Sequence, residues 1–161
     1  MLFRSGGKGV LTVRRLSGQA NGLALYQADP LTGAVMDDQA RTLFPGDPDY
    51  LQAALASARR DRLVMTPQTL PGSGSSVVFR DLPLSLDRNY AALLMVNGSE
   101  NELISSFALA NPQRSGQCLS LINPGRGISF AFEDRFPWQA SDMDFNDLCV
   151  TLTSEQPMVV L

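Results

Sequence analysis

The chain has 161 residues, of which 44% are hydrophobic and 18% charged, with a net charge of −3. That length and balance predict a single folded domain over residues 1–161, large enough to bury a core. They argue against membrane insertion, since no apolar run reaches the ~20 residues of a spanning helix. They also argue against nucleic acid as a partner, since the basic pairs Arg14-Arg15 and Arg59-Arg60 stand alone.

Residues 10–16 and 22–28 read as strands. Asp29-Pro30-Leu31-Thr32-Gly33 reads as a turn, because proline presets φ and glycine accepts a positive one. Residues 34–36 then read as the return strand of that hairpin. Pro45-Gly46-Asp47-Pro48 opens a helix over residues 48–60, with Asp47 suited to the N-cap and Pro48 to the first position. Leu51 and Leu55 share a face of it, and Arg59 and Arg60 suit its C-terminal dipole. Beyond it, residues 77–79, 90–96, 103–109, 118–122, 128–132 and 148–152 read as short strands. Turns at Pro71 to Ser76, Asn97-Gly98 and Asn123-Pro124-Gly125 separate them. The expected fold is mainly β: an antiparallel, jelly-roll-like β-sandwich with one packed helix.

The two cysteines, Cys118 and Cys149, lack metal-site spacing, and the chain has no histidine. Each lies opposite the leucines of its own strand. A disulfide requires those strands to be neighbours; two packed thiols are the alternative.

The acidic balance is local. Residues 133–147 hold Glu133, Asp134, Asp142, Asp144 and Asp147 against one base, Arg135, a charge of −4 where the whole chain carries −3. Clustered carboxylates repel one another unless a cation sits among them. An all-oxygen donor set selects a hard cation, Ca²⁺ above all. Asp142, Asp144 and Asn146 fall at i, i+2 and i+4, as the first ligands of an EF-hand loop do. The rest of that loop is missing: Asp147 stands where it needs glycine, Thr153 where it needs glutamate, and a strand follows rather than a helix. The alternative is a solvated acidic turn closed by its own Asx hydrogen bonds.

Gly127 to Asp134, followed by Ser141 to Leu148, resembles the C-terminal signature of the bacterial domain-of-unknown-function family 4114: a strand ending Phe-Glu-Asp, then Asp-x-Asp-Phe-Asn-Asp entering a last strand. Leu25 to Gly33 and Pro45 to Leu55 are similar to its N-terminal extension, so the resemblance covers about residues 22–153. It implies a calcium-binding β-sandwich of secreted or surface proteins, including repeats-in-toxin adhesins, with Glu133, Asp134, Asp142, Asp144, Asn146 and Asp147 as metal ligands or as residues that orient them. It also implies an extracellular or cell-surface location. Met1 to Gly9 lack the apolar region of a secretory signal, so export would use another route, and a cytosolic protein is the alternative. The loop Arg135 to Ala140 is bulkier than the family's, and Cys118 lies near a position where the family often has histidine.

The expected function is a calcium-dependent binding module of the adhesion type. The ion's open positions would accept a peptide or glycan, and Trp138 and Phe136 would form a wall beside it. A Trp138 that only caps the core is the plain reading. A purely structural calcium domain is the second reading. A carboxylate hydrolase is the third; no nucleophile elbow or phosphate loop accompanies the acids, so no enzyme is expected.

Overall fold

In a computed structural model of the chain, residues 8–85, 87–123 and 127–154 are described. They form a mainly β fold: an antiparallel β-sandwich with one packed helix. The strands are β1 (Gly9–Arg15), β2 (Gly22–Gln27), β3 (Val35–Met36), β4 (Thr42–Leu43), β5 (Val64–Met65), β6 (Ser75–Phe79), β7 (Tyr90–Met95), β8 (Leu103–Ser105), β9 (Cys118–Asn123), β10 (Gly127–Phe132) and β11 (Leu148–Ser154); α1 spans Tyr50–Arg60. One sheet runs β6-β1-β11-β10-β9, the other β5-β2-β7-β8, and β3 pairs with β4. No helix among the described residues is long and apolar enough to cross a membrane.

The molecule has three layers. Leu11, Val13, Phe130, Phe132, Leu148 and Val150 of the first sheet pack on Leu23, Leu25, Ala92, Leu94 and Ile104 of the second. The second sheet's other face, with Ala24, Tyr26, Ala91 and Leu93, takes Tyr50, Ala54, Leu55 and Ala58 of α1. Covered on both sides, β2 and β7 are apolar without interruption, Leu-Ala-Leu and Ala-Ala-Leu-Leu-Met, while β11 alternates buried and half-buried residues. Alanines on the helix and on the sheet allow their close approach. The hydroxyls buried in this layer are paired: Tyr26 Oη lies 3.0 Å from Ser105 Oγ, and Tyr50 Oη donates to the carbonyl of Gly33 at 2.7 Å.

The sequence reading needs three corrections, and the alternative left open at the cysteines is decided. Residues 35–36 do not return on β2; the Asp29 turn forms, but β3 pairs with residues 42–43. The helix starts at Tyr50 with Asp49 at the N-cap position, because the Asp47 carboxylate is taken by the Phe44 N–H at 2.7 Å. The strand expected over 103–109 stops at Ser105. There the Ser105 hydroxyl accepts from Phe107 N–H, and buried Asn111 bonds both the N–H and the carbonyl of Ser105, folding the chain into two 3₁₀ turns. The cysteines are free. β10 separates their strands, and Cys118 shares a rung with Phe132, Cys149 with Ala131, so they lie on opposite faces of the sheet. Of the turn expected at Asn123-Pro124-Gly125, residues 124 and 125 lie outside the described residues.

Gly127 opens β10 at φ 126°, and a Cβ built there would sit 1.9 Å from the Leu152 carbonyl oxygen. Gly127→Ala is expected to cost about 3 kcal/mol through backbone strain and clash. Gly116→Ala, with open space at its Cβ, is expected to stay within ~0.5 kcal/mol of the parent. Urea denaturation of the two variants measures both.

Candidate metal centre

The pairing of β10 with β11 assembles the site. Phe132 lies opposite Leu148, so the next rung, just beyond the strands, sets Glu133 against Asp147. The same extrapolation brings Gln117 beside Glu133, and the Glu133 N–H donates to the Gln117 carbonyl at 2.9 Å. On the other side Leu16 N–H donates to the Asp147 carbonyl at 3.0 Å. Glu133, Asp134 and Asp147 thus meet at one rim of the first sheet, where like charges on adjacent strands repel.

Glu133 is only 1% exposed, and its Oε2 has no hydrogen-bond partner. It belongs to two groups of carboxylates whose oxygens lie within 4.8 Å of one another: Glu133, Asp134 and Asp147 on the buried side, Glu133, Asp142 and Asp144 on the exposed side. Two oxygens that share a Ca²⁺ at about 2.3–2.6 Å from each can stand no more than about 5 Å apart, so either spacing fits one ion. Among the described residues, none of the five carboxylates forms an ion pair with lysine or arginine.

The two groups are not equivalent. Asp134 is engaged: its Oδ2 accepts from Ser17 Oγ and from Asn21 Nδ2 at 2.7 Å, and its Oδ1 from Gln19 Nε2 at 2.8 Å. Its N–H donates to Asp147 Oδ2 at 2.9 Å. Asp134 therefore anchors the β1–β2 connection to the rim. Asp142 and Asp144 are solvent-exposed and carry no such set of donors. Their loop is tightly wound, with Ala140, Met143 and Phe145 at φ of 56°, 55° and 54°, a region that side-chain-bearing residues visit at a cost. Asn146 joins through Asp144, whose carboxylate accepts both its backbone N–H and its side-chain amide. The outer group, with buried Glu133 as its floor, is the part of the cluster free to hold a cation.

Sequence reasoning found the six acidic-loop residues and missed Ser17, Gln19, Asn21 and Gln117. The first three alternate in a loop over 100 positions from Asp134, and only their polar i, i+2, i+4 pattern after β1 could have marked them. Phe136 and Trp138 are both in place. Their rings stack at 4.7 Å and 1°, with Phe136 packed on the core and Trp138 51% exposed. Trp138 therefore covers Phe136 rather than capping the core itself. A cleft of about 200 Å³ adjoins Phe136 and Asp134 and runs to Leu51 and Gln52 of α1. The chain matches no family model, no curated protein and no solved structure.

Burial, then the charges of Asp134 and Glu133, push the Asp147 carboxyl up to about 7, although the Asp134 N–H opposes this. A raised carboxyl pKa means that the folded state holds its proton at a pH where the unfolded chain, near ~4, has lost it. This group's contribution to stability therefore falls as pH rises from about 4 to about 7. In EDTA, the melting temperature of the parent is expected to decline across that window relative to Asp147→Asn. Parallel profiles of the two proteins would show that Asp147 does not titrate there.

Proposed function

We propose that this protein is a calcium-dependent ligand-binding module of the adhesion type, which holds Ca²⁺ in the 133–147 loop and takes a peptide or glycan beside it. The observation that carries the reading is Glu133 Oε2, a buried acceptor without a donor, on a side chain whose carboxylate groups with further carboxylates. A buried carboxylate in that position is costly unless a cation meets it. The donor set is oxygen throughout, as calcium prefers: Glu133, Asp142 and Asp144 would hold the ion, Asn146 would orient Asp144, and Asp147 and Asp134 would fix the frame behind Glu133. The likeness of residues 127–148 to the family 4114 signature supports the same reading. A rim site exposed on one side leaves coordination positions for a ligand carboxylate or hydroxyl. Trp138 and the neighbouring cleft supply apolar and amide-lined surface for the rest of it. A site of the extracellular class binds at about 10⁻⁴ M, which suits a protein working outside the cell.

Addition of CaCl₂ at about a hundredfold excess over that Kd is expected to stabilise the fold by about 2.7 kcal/mol, read as a rise in melting temperature over EDTA. Asp142→Ala and Asp144→Ala are expected to remove most of that rise, and Asp87→Ala, in a remote turn, to leave it intact. Identical melting curves in EDTA and calcium would defeat the proposal.

Ligand capture is expected to need both calcium and Trp138. On peptide and glycan arrays, signals should vanish in EDTA and weaken in Trp138→Ala at an unchanged melting temperature. Calcium-dependent melting with no calcium-dependent array signal would reassign the ion to a structural role.

A further inference from the structure

We propose that β9 is a self-association edge, pairing antiparallel with β9 of a second copy about a two-fold axis at Ser120. β9 ends the five-stranded sheet, and no described strand pairs with its outer edge. Its six residues, Cys118-Leu-Ser-Leu-Ile-Asn123, include no charge and no proline, the two devices that blunt an exposed edge. Leu119, Leu121 and Ile122 are 57%, 60% and 53% exposed. Leu119 and Leu121 point to the outer face, Ser120 and Ile122 to the face that carries Phe130 and Ile128. Ser120 and Ile122 are nevertheless exposed, so the second sheet does not cover β9 there. The other edges offer less: β5 and β8 are two and three residues long, and β6 exposes one large hydrophobic, Val78.

The occupant follows from the pattern. Residues opposite one another in an antiparallel pair share a face. With the axis at Ser120, Leu119 of each copy meets Leu121 of the other, and Cys118 meets Ile122. Four leucines then form one apolar patch on the outer face, and two small serines meet at the centre. Sliding by one rung sets Leu119 against Asn123, or Leu121 against Gln117, so this register buries the most apolar surface. The neutral strand brings no like charges together. Such a self-complementary patch suits a closed two-fold dimer. One six-residue strand pair falls short of the ~1,200 Å² of a standard interface, so the dimer would be weak, dissociating at roughly 100 µM.

The test uses the full chain in sedimentation velocity over a wide concentration range, with a covalent trap alongside. The sedimentation coefficient of the parent should rise with concentration, and that of Leu119→Lys/Leu121→Lys should stay monomeric. Across the axis the Ser120 Cα atoms would stand about 4.5–5.5 Å apart, within disulfide range. Ser120→Cys, in a Cys118→Ala/Cys149→Ala background, should therefore oxidise to a covalent dimer, while Ser99→Cys in the same background should not. The trap keeps the test open if the lysine variant fails to fold. A parent that stays monomeric with no cross-link above the Ser99→Cys level would overturn the proposal. So would a dimer that the lysines leave unchanged, since the copies would then meet elsewhere.

Discussion

A buried glutamate at the end of a strand governs one whole rim of this molecule. Glu133 is sealed from water with one oxygen unmatched, and the β10–β11 register sets Asp147 on the same rung. Water cannot screen these charges as it would on an open surface, so their repulsion must be met inside the fold. Part of the answer is hydrogen bonding. Ser17, Gln19 and Asn21 donate to Asp134, and the Asp134 N–H donates to Asp147. None of these donors carries a positive charge, so the negative field at Glu133 remains. The cation proposed between Glu133, Asp142 and Asp144 would answer it and would give the wound loop of residues 140–147 a reason for its left-handed residues.

The three-layer core makes that rim stiff enough to matter. Each large side chain buried between the sheets contributes roughly 1.5–3 kcal/mol, and Phe132 and Leu148, the last core residues before the acids, are completely buried. Glu133 and Asp147 therefore leave the sheet from fixed points. Phe136 re-enters the core three residues later, which bounds the path of the loop and presents Trp138 outward. Repulsion between carboxylates cannot be relieved by spreading the strand ends without opening the core beneath them.

Much of this was legible in the chain. The run of short strand candidates, the turn residues between them and the one helix opened by Pro45 to Pro48 led to a sandwich with one packed helix, which the structure has. The acidic residues were visible because five of them fall within fifteen positions. The donors to Asp134 were not, because residues 17–21 reach it only through the pairing of β1 with β11, and no local pattern encodes that. The split into an engaged inner group and an open outer one was equally hidden, since it depends on burial. The central sheet's two covered faces were written in the unbroken apolar runs of β2 and β7. The boundary errors at Asp47 and Ser105 share one cause: a polar side chain bonded the backbone locally and displaced the regular element.

The most direct test of the central claim is a crystal structure of the protein grown with millimolar CaCl₂, with an anomalous map to identify the ion. The account predicts one strong peak bounded by Glu133 Oε2 and the carboxylates of Asp142 and Asp144, at about 2.3–2.6 Å from each ligand oxygen. A rim with Glu133 Oε2 bound only to water, or calcium seated away from Glu133, would contradict it.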